Sequence, residues 1–144
     1  MFNQPPDERL SAWSEFRHNL ESSPAPFLEV TQLWNEAPFI PYNRKVDPFN
    51  QYAWPTPWDI IVENKYDDFT KALMMSWTLK LTDRFKDSDI NIKTYTDTQK
   101  NRAYNLVFVD NTTVLNYYDN DIIAAEEIPD HLRMENLIEV KRPG

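Results

Sequence analysis

An α+β fold, with one long amphipathic helix laid across a small antiparallel β-meander, is predicted by three observations. Prolines crowd the first part of the chain, where nine of the eleven lie at or before Pro57. Between Trp58 and Phe85 apolar residues recur every three or four positions, and beyond Ile90 the period changes to two. The chain therefore divides into residues 1–57, a proline- and aromatic-rich extended arm carrying one short helix, and residues 58–144, an α+β body.

The arm's helix is predicted over Asp7–Glu21. Leu10, Trp13, Phe16 or Arg17, and Leu20 form one apolar stripe, with Pro6 ahead of it and Ser22-Ser23-Pro24 behind. Glu8, Ser11, Glu15 and Asn19 occupy the other face. From Pro24 to Pro57 proline every few residues removes amide donors and pushes its predecessors out of the helical region. That stretch reads as extended, with a short helical turn at Thr31–Glu36. Disordered linkers are poor in aromatics, so an aromatic-rich segment is expected to lie on a surface. Rigid aromatics bury large areas at little entropic cost. Trp34, Phe39, Tyr42, Phe49, Tyr52 and Trp54 are the expected partner-binding anchors.

Thr56 is a suitable N-cap, Pro57 suits the first helical position, and Asp59 sits where a capping box wants an acid. Trp58, Val62, Tyr66, Phe69, Leu73, Trp77, Leu81 and Phe85 then form a continuous apolar face, broken near Asn64, with Asp67 and Asp68 starting the second piece. Ile90–Asp97 alternates as a strand, Arg102–Asp110 is rich in β-formers, and Thr112–Tyr118 follows Asp110-Asn111. A strand at Asp121–Ala125, a helical turn after Pro129-Asp130 and a last piece at Leu137–Val140 complete the pattern.

The only glycine is Gly144, where average usage would give on the order of ten. Asn and Asp must therefore supply the turns, since they tolerate left-handed backbone best after glycine. Phosphate-binding loops, dinucleotide turns and nucleophile elbows need internal glycine and are excluded. With no cysteine, thiol nucleophiles, disulfides and thiolate metal sites are excluded too. The net charge of −8 argues against a general electrostatic grip on nucleic acid. The first residues lack a basic region followed by an apolar run, so no signal peptide is expected. Apolar runs such as Ala72–Met75 are too short to span a bilayer.

Four patterns raise chemistry. Ile60-Ile61-Val62-Glu63-Asn64-Lys65, with Asp47 upstream, matches the metal-and-lysine strand of PD-(D/E)xK nucleases, in which carboxylates hold Mg²⁺ and the lysine positions water. A helix starting at Thr56-Pro57 would instead put Glu63 and Lys65 on different faces. Asp119-x-Asp121 resembles a metal-nucleotide motif of glycosyltransferases, but this chain lacks room for their fold, and Asp-Asn-Asp between strands is an ordinary turn. His18 and His131 lie in different halves and suit surface or capping roles. The acids Asp119, Asp121, Glu126, Glu127 and Asp130 lack the glycine and ligand series of a calcium loop and read as a solvated edge or a docking face.

Trp54-Pro55-Thr56-Pro57-Trp58-Asp59-Ile60-Ile61 and Ser76-Trp77-Thr78-Leu79-Lys80-Leu81-Thr82-Asp83-Arg84-Phe85 resemble small uncharacterised proteins of large tailed, myovirus-like bacteriophages. The resemblance transfers no catalytic residues. It implies a non-enzymatic structural or assembly protein that binds neighbouring virion subunits through its arm. Such a part would be found in host cytoplasm and then in the virion. It needs no cofactor or metal, touches protein subunits rather than membrane or nucleic acid, and is compatible with homo-oligomerisation. The alternatives are the Mg²⁺-dependent nuclease and an acidic phage inhibitor of a host protein.

Overall fold

A computed structural model describes residues 1–118 and 121–144. Helices α1 (Pro6–Leu20), α2 (Pro26–Asn35), α3 (Pro57–Glu63) and α4 (Asp68–Lys80) precede strands β1 (Ile90–Asp97), β2 (Arg102–Val109), β3 (Thr113–Leu115), β4 (Ile122–Ala124) and β5 (Arg133–Glu139). The strands form one antiparallel sheet of order β4-β3-β2-β1-β5. The α+β class and the helix on a meander are both present.

The break near Asn64 has a clear local cause. The Thr56 hydroxyl accepts from the Asp59 amide at 3.2 Å to start α3. Asn64 then ends it in left-handed backbone at φ 61°. Asp67 restarts the helix by accepting from the Thr70 amide at 2.8 Å and the Thr70 hydroxyl at 2.6 Å. Its other oxygen accepts from the Asn43 amide at 2.8 Å, which ties the preceding loop to α4.

Ten of the thirteen residues of α4 are buried, and such a helix is covered on all sides. It packs on β1 and β2 and also against α2. The expected single apolar face underestimates this, because the covering on the far side comes from residues 1–57. Trp13 and Trp34 are fully buried, and both indole N–H groups donate to the Thr78 hydroxyl at 3.1 Å. Thr78 in turn donates to the Met74 carbonyl at 2.6 Å. One helical threonine thus satisfies two buried indoles, which would otherwise each cost about 1–3 kcal/mol.

The region Pro24–Pro57 is therefore not an extended arm. Pro26 fits the first turn of α2, where its missing amide has no helical acceptor to lose. Trp13, Leu20, Val30, Trp34 and Val46 join Ile61, Leu73, Ile92 and Val107 in one core. The boundary at Pro57 separates two compositions and not two cores. Arg9 makes the same point: its guanidinium donates to the carbonyls of Ile61 (3.0 Å), Val62 (2.8 Å) and Gln4 (2.6 Å), closing the carboxyl end of α3 from α1.

Helix α4 stops at Lys80 rather than running to Phe85. The Thr82 hydroxyl donates to the Leu79 carbonyl and accepts from the Phe85 amide. The Glu21 carboxylate accepts from the amides of Asp83 and Arg84, at 2.8 and 2.9 Å. The Asp83 contact, seconded by Arg84, holds that carboxyl below its ordinary value. In the sheet, left-handed turns fall on Asn101, Asp110, Asn111 and Asn116, as a chain without internal glycine requires. The last strand is β5 at Arg133–Glu139, earlier than the Leu137–Val140 expected.

Candidate functional site

A polar cleft of about 480 Å³ opens where the carboxyl end of α2 and the first turn of α4 meet the start of β2. Asn35 lines it from α2, Asp68 and Lys71 from α4, and Asn101 to Asn105 from the β1–β2 turn and β2, with Asn116 after β3. Four of its nine residues are asparagines, and none is Cys, Ser, Thr or His. The sheet edge fixes two of the amides. The Asn105 side-chain carbonyl accepts from the Thr94 hydroxyl at 3.0 Å, while the Asn116 amide donates to the Asn105 backbone carbonyl at 2.9 Å.

Strand alternation sends Tyr104, Leu106 and Phe108 to the opposite face of the sheet, where they form a second cluster with Val114 and Leu132. At its end beside the cleft, Tyr104 stacks on Tyr117 with ring centroids 5.2 Å apart and planes 14° apart. The Arg102 guanidinium lies 4.7 Å from the Tyr104 ring and 5.5 Å from that of Tyr118. Lys100 donates to the Tyr118 hydroxyl at 3.1 Å, and this contact lowers the phenol's pKa from its ordinary value. Burial raises the Tyr104 and Tyr117 phenols instead.

Asp97 faces Arg102 in register across the hairpin but is turned to other partners. Its carboxylate meets His131 Nε2 at 3.2 Å and accepts from the amides of Gln99 and Lys100 at 3.0 and 3.1 Å. Burial pushes this carboxyl up, but the His131 contact and the two amides outweigh it, leaving it below its ordinary value. His131, read from sequence as a surface or capping residue, thus pins the loop before β5 to the β1–β2 hairpin.

The expected partner anchors scatter. Trp34 is fully buried and is corrected from anchor to core. Trp54 packs edge-on against Trp77 and against Phe69, with its indole donating to the Asp47 carbonyl at 2.6 Å. Phe39 and Tyr42 are exposed, and Phe49 and Tyr52 more so at 82% and 95%. None of these six residues lines the polar cleft.

The nuclease constellation does not assemble. Glu63 ends α3 and pairs with Lys45 at 3.2 Å, while the Asp47 side chain accepts from the Phe49 amide. Helical backbone has replaced the strand that the motif requires. Asp119 of the Asp-x-Asp pattern lies outside the described residues. Among the described residues no group of three or more His, Cys, Asp or Glu is placed to hold a metal ion. None of their helices is long and apolar enough to cross a membrane. The cleft itself escaped sequence reasoning, because its asparagines come from four separate places in the chain. Their only sequence signal was the abundance of asparagine at turns.

No protein-family model matches the chain, and none of the curated proteins does. Solved structures do. Calcium-bound LapG of Legionella pneumophila aligns with a TM-score of 0.66 at 19% identity, over 98% of this chain and 83% of that one. A second LapG structure gives 0.63 at 20% identity, covering 90% of this chain and 73% of LapG. EGTA-treated LapG gives 0.64 at 21% identity, covering 90% and 71%. The donors described above do not fit the calcium of the first structure. At these identities the likeness shows the fold, and that fold is shared with LapG of Legionella pneumophila rather than with a phage component. The expectation of a virion assembly part, with its nuclease and inhibitor alternatives, is corrected accordingly.

Proposed function

We propose that this chain is a polypeptide-binding protein that holds a protein segment in the polar cleft without cleaving it. The observation that carries the reading is a cleft of four asparagines with no Cys, Ser, Thr or His in its lining, in a chain devoid of cysteine. Cysteine proteolysis requires a thiolate to attack the scissile carbonyl. Here that step has no reagent. What is left is recognition. Each asparagine side chain carries one carbonyl acceptor and two N–H donors, the same groups that an extended peptide backbone must have satisfied.

Fluorescence anisotropy with labelled decapeptides, followed by mass spectrometry of the same mixtures, tests both halves. Saturable binding with intact peptides is expected. Asn101→Gly keeps the left-handed turn at φ 51° while deleting one amide, and should weaken binding about three- to tenfold. New peptide termini, or no binding by any peptide, would sink the proposal.

A further inference from the structure

Arg102 combines three properties that converge on one kind of ligand. It lines the cleft at the first position of β2, so it stands at the rim where the two faces of the sheet meet. Its guanidinium is held by the Tyr104 and Tyr118 rings, a contact that orients the planar fork without using its N–H donors. Its natural neutralising partner, Asp97, sits directly opposite in the ladder yet is engaged by His131 and two backbone amides. Among the described residues Arg102 makes neither an ion pair nor a hydrogen bond through its side chain. Lys100, next to it on the turn, adds a second cation bound to a tyrosine hydroxyl rather than to a carboxylate.

We infer that Arg102 is the carboxylate-docking residue of the cleft, and that the bound polypeptide presents an Asp or Glu side chain to it. This rests on the polypeptide-binding reading above. A guanidinium matches a carboxylate with two parallel N–H···O bonds, a geometry that an ammonium cannot reproduce.

The test uses the full chain and two labelled decapeptides that differ only in a central Glu or Gln. The Glu peptide should bind about tenfold more tightly to the native chain. The ratio should fall to near one in Arg102→Gln and drop partway in Arg102→Lys. Equal affinity of the two peptides for the native chain would overturn this inference and leave the cleft reading standing. Binding of neither peptide, or of any other, would overturn both. A Glu preference that survives in Arg102→Gln would remove Arg102 from the role. Because the Glu-to-Gln change is made in the peptide, the native-chain result is independent of any folding defect in the variants.

Discussion

The two faces of the sheet are built from alternate residues of the same strands, yet they solve burial differently. Ile90, Ile92, Val107 and Val109 face α4 and enter a core in which polar groups are few: the Trp13 and Trp34 indoles share the Thr78 hydroxyl, while the buried Tyr66 hydroxyl has no hydrogen-bond partner among the described residues. Tyr104, Leu106 and Phe108 face the other way and are covered by the segment around Tyr117, Ile123 and Ile128 rather than by a helix. There aromatic rings meet cations instead: the Lys93 ammonium lies 4.0 Å from the Phe108 ring, and Arg102 lies over Tyr104. A face sealed by helices can specify structure tightly. One covered by a loop keeps charges near water, where they remain available to a ligand.

Substitutions can break this contrast, and the largest effect should come from the sealed side. Thr78→Val preserves shape but strands two indole N–H groups, and should cost about 2–5 kcal/mol in urea unfolding followed by tryptophan fluorescence. A loss under about 1 kcal/mol would show that water reaches the indoles and that the core is less closed than described. Arg9→Met removes the donor that closes α3 and should cost about 2 kcal/mol by the same measurement. A neutral outcome would mean that the α3 carbonyls find solvent.

On the loop-covered side the effects should be smaller and tied to pH. Asp97 has a folded-state pKa below its ordinary value of 3.8, so it stabilises the fold above that value and the contribution is lost as pH falls through the folded pKa. Asp97→Asn should therefore lower the melting temperature at pH 7, with the gap to the native chain closing below about pH 3.8. A gap that stays constant down to pH 2 would locate the loss in packing rather than in charge. Tyr117→Leu keeps the apolar cover but deletes the stacking on Tyr104, for a cost of about 0.5–1.5 kcal/mol. A larger loss would bring the two faces level.

Much of the architecture was legible from local chemistry. The cap at Thr56, the stop at Asn64, the restart at Asp67 and the asparagine and aspartate turns all act within a few residues, so spacing alone reveals them. Helix α2 was misread because proline density suggested extension, while Pro26 sits at the one helical position that tolerates it. Trp34 was read as an anchor because sequence cannot distinguish an aromatic that seeks a partner from one that finds its own chain.

By itself the sequence determined the α+β class, the turn chemistry forced by the lack of internal glycine, and the absence of any thiol mechanism. These follow from residue type and near-neighbour spacing. Only the tertiary structure decided that residues 1–57 complete the core, that Thr78 serves two tryptophans 44 and 65 residues away, and that four dispersed asparagines share a cleft. Such juxtapositions come from chain closure over long separations. No local pattern encodes them, because the partners contribute to a common free energy only once the fold has brought them together.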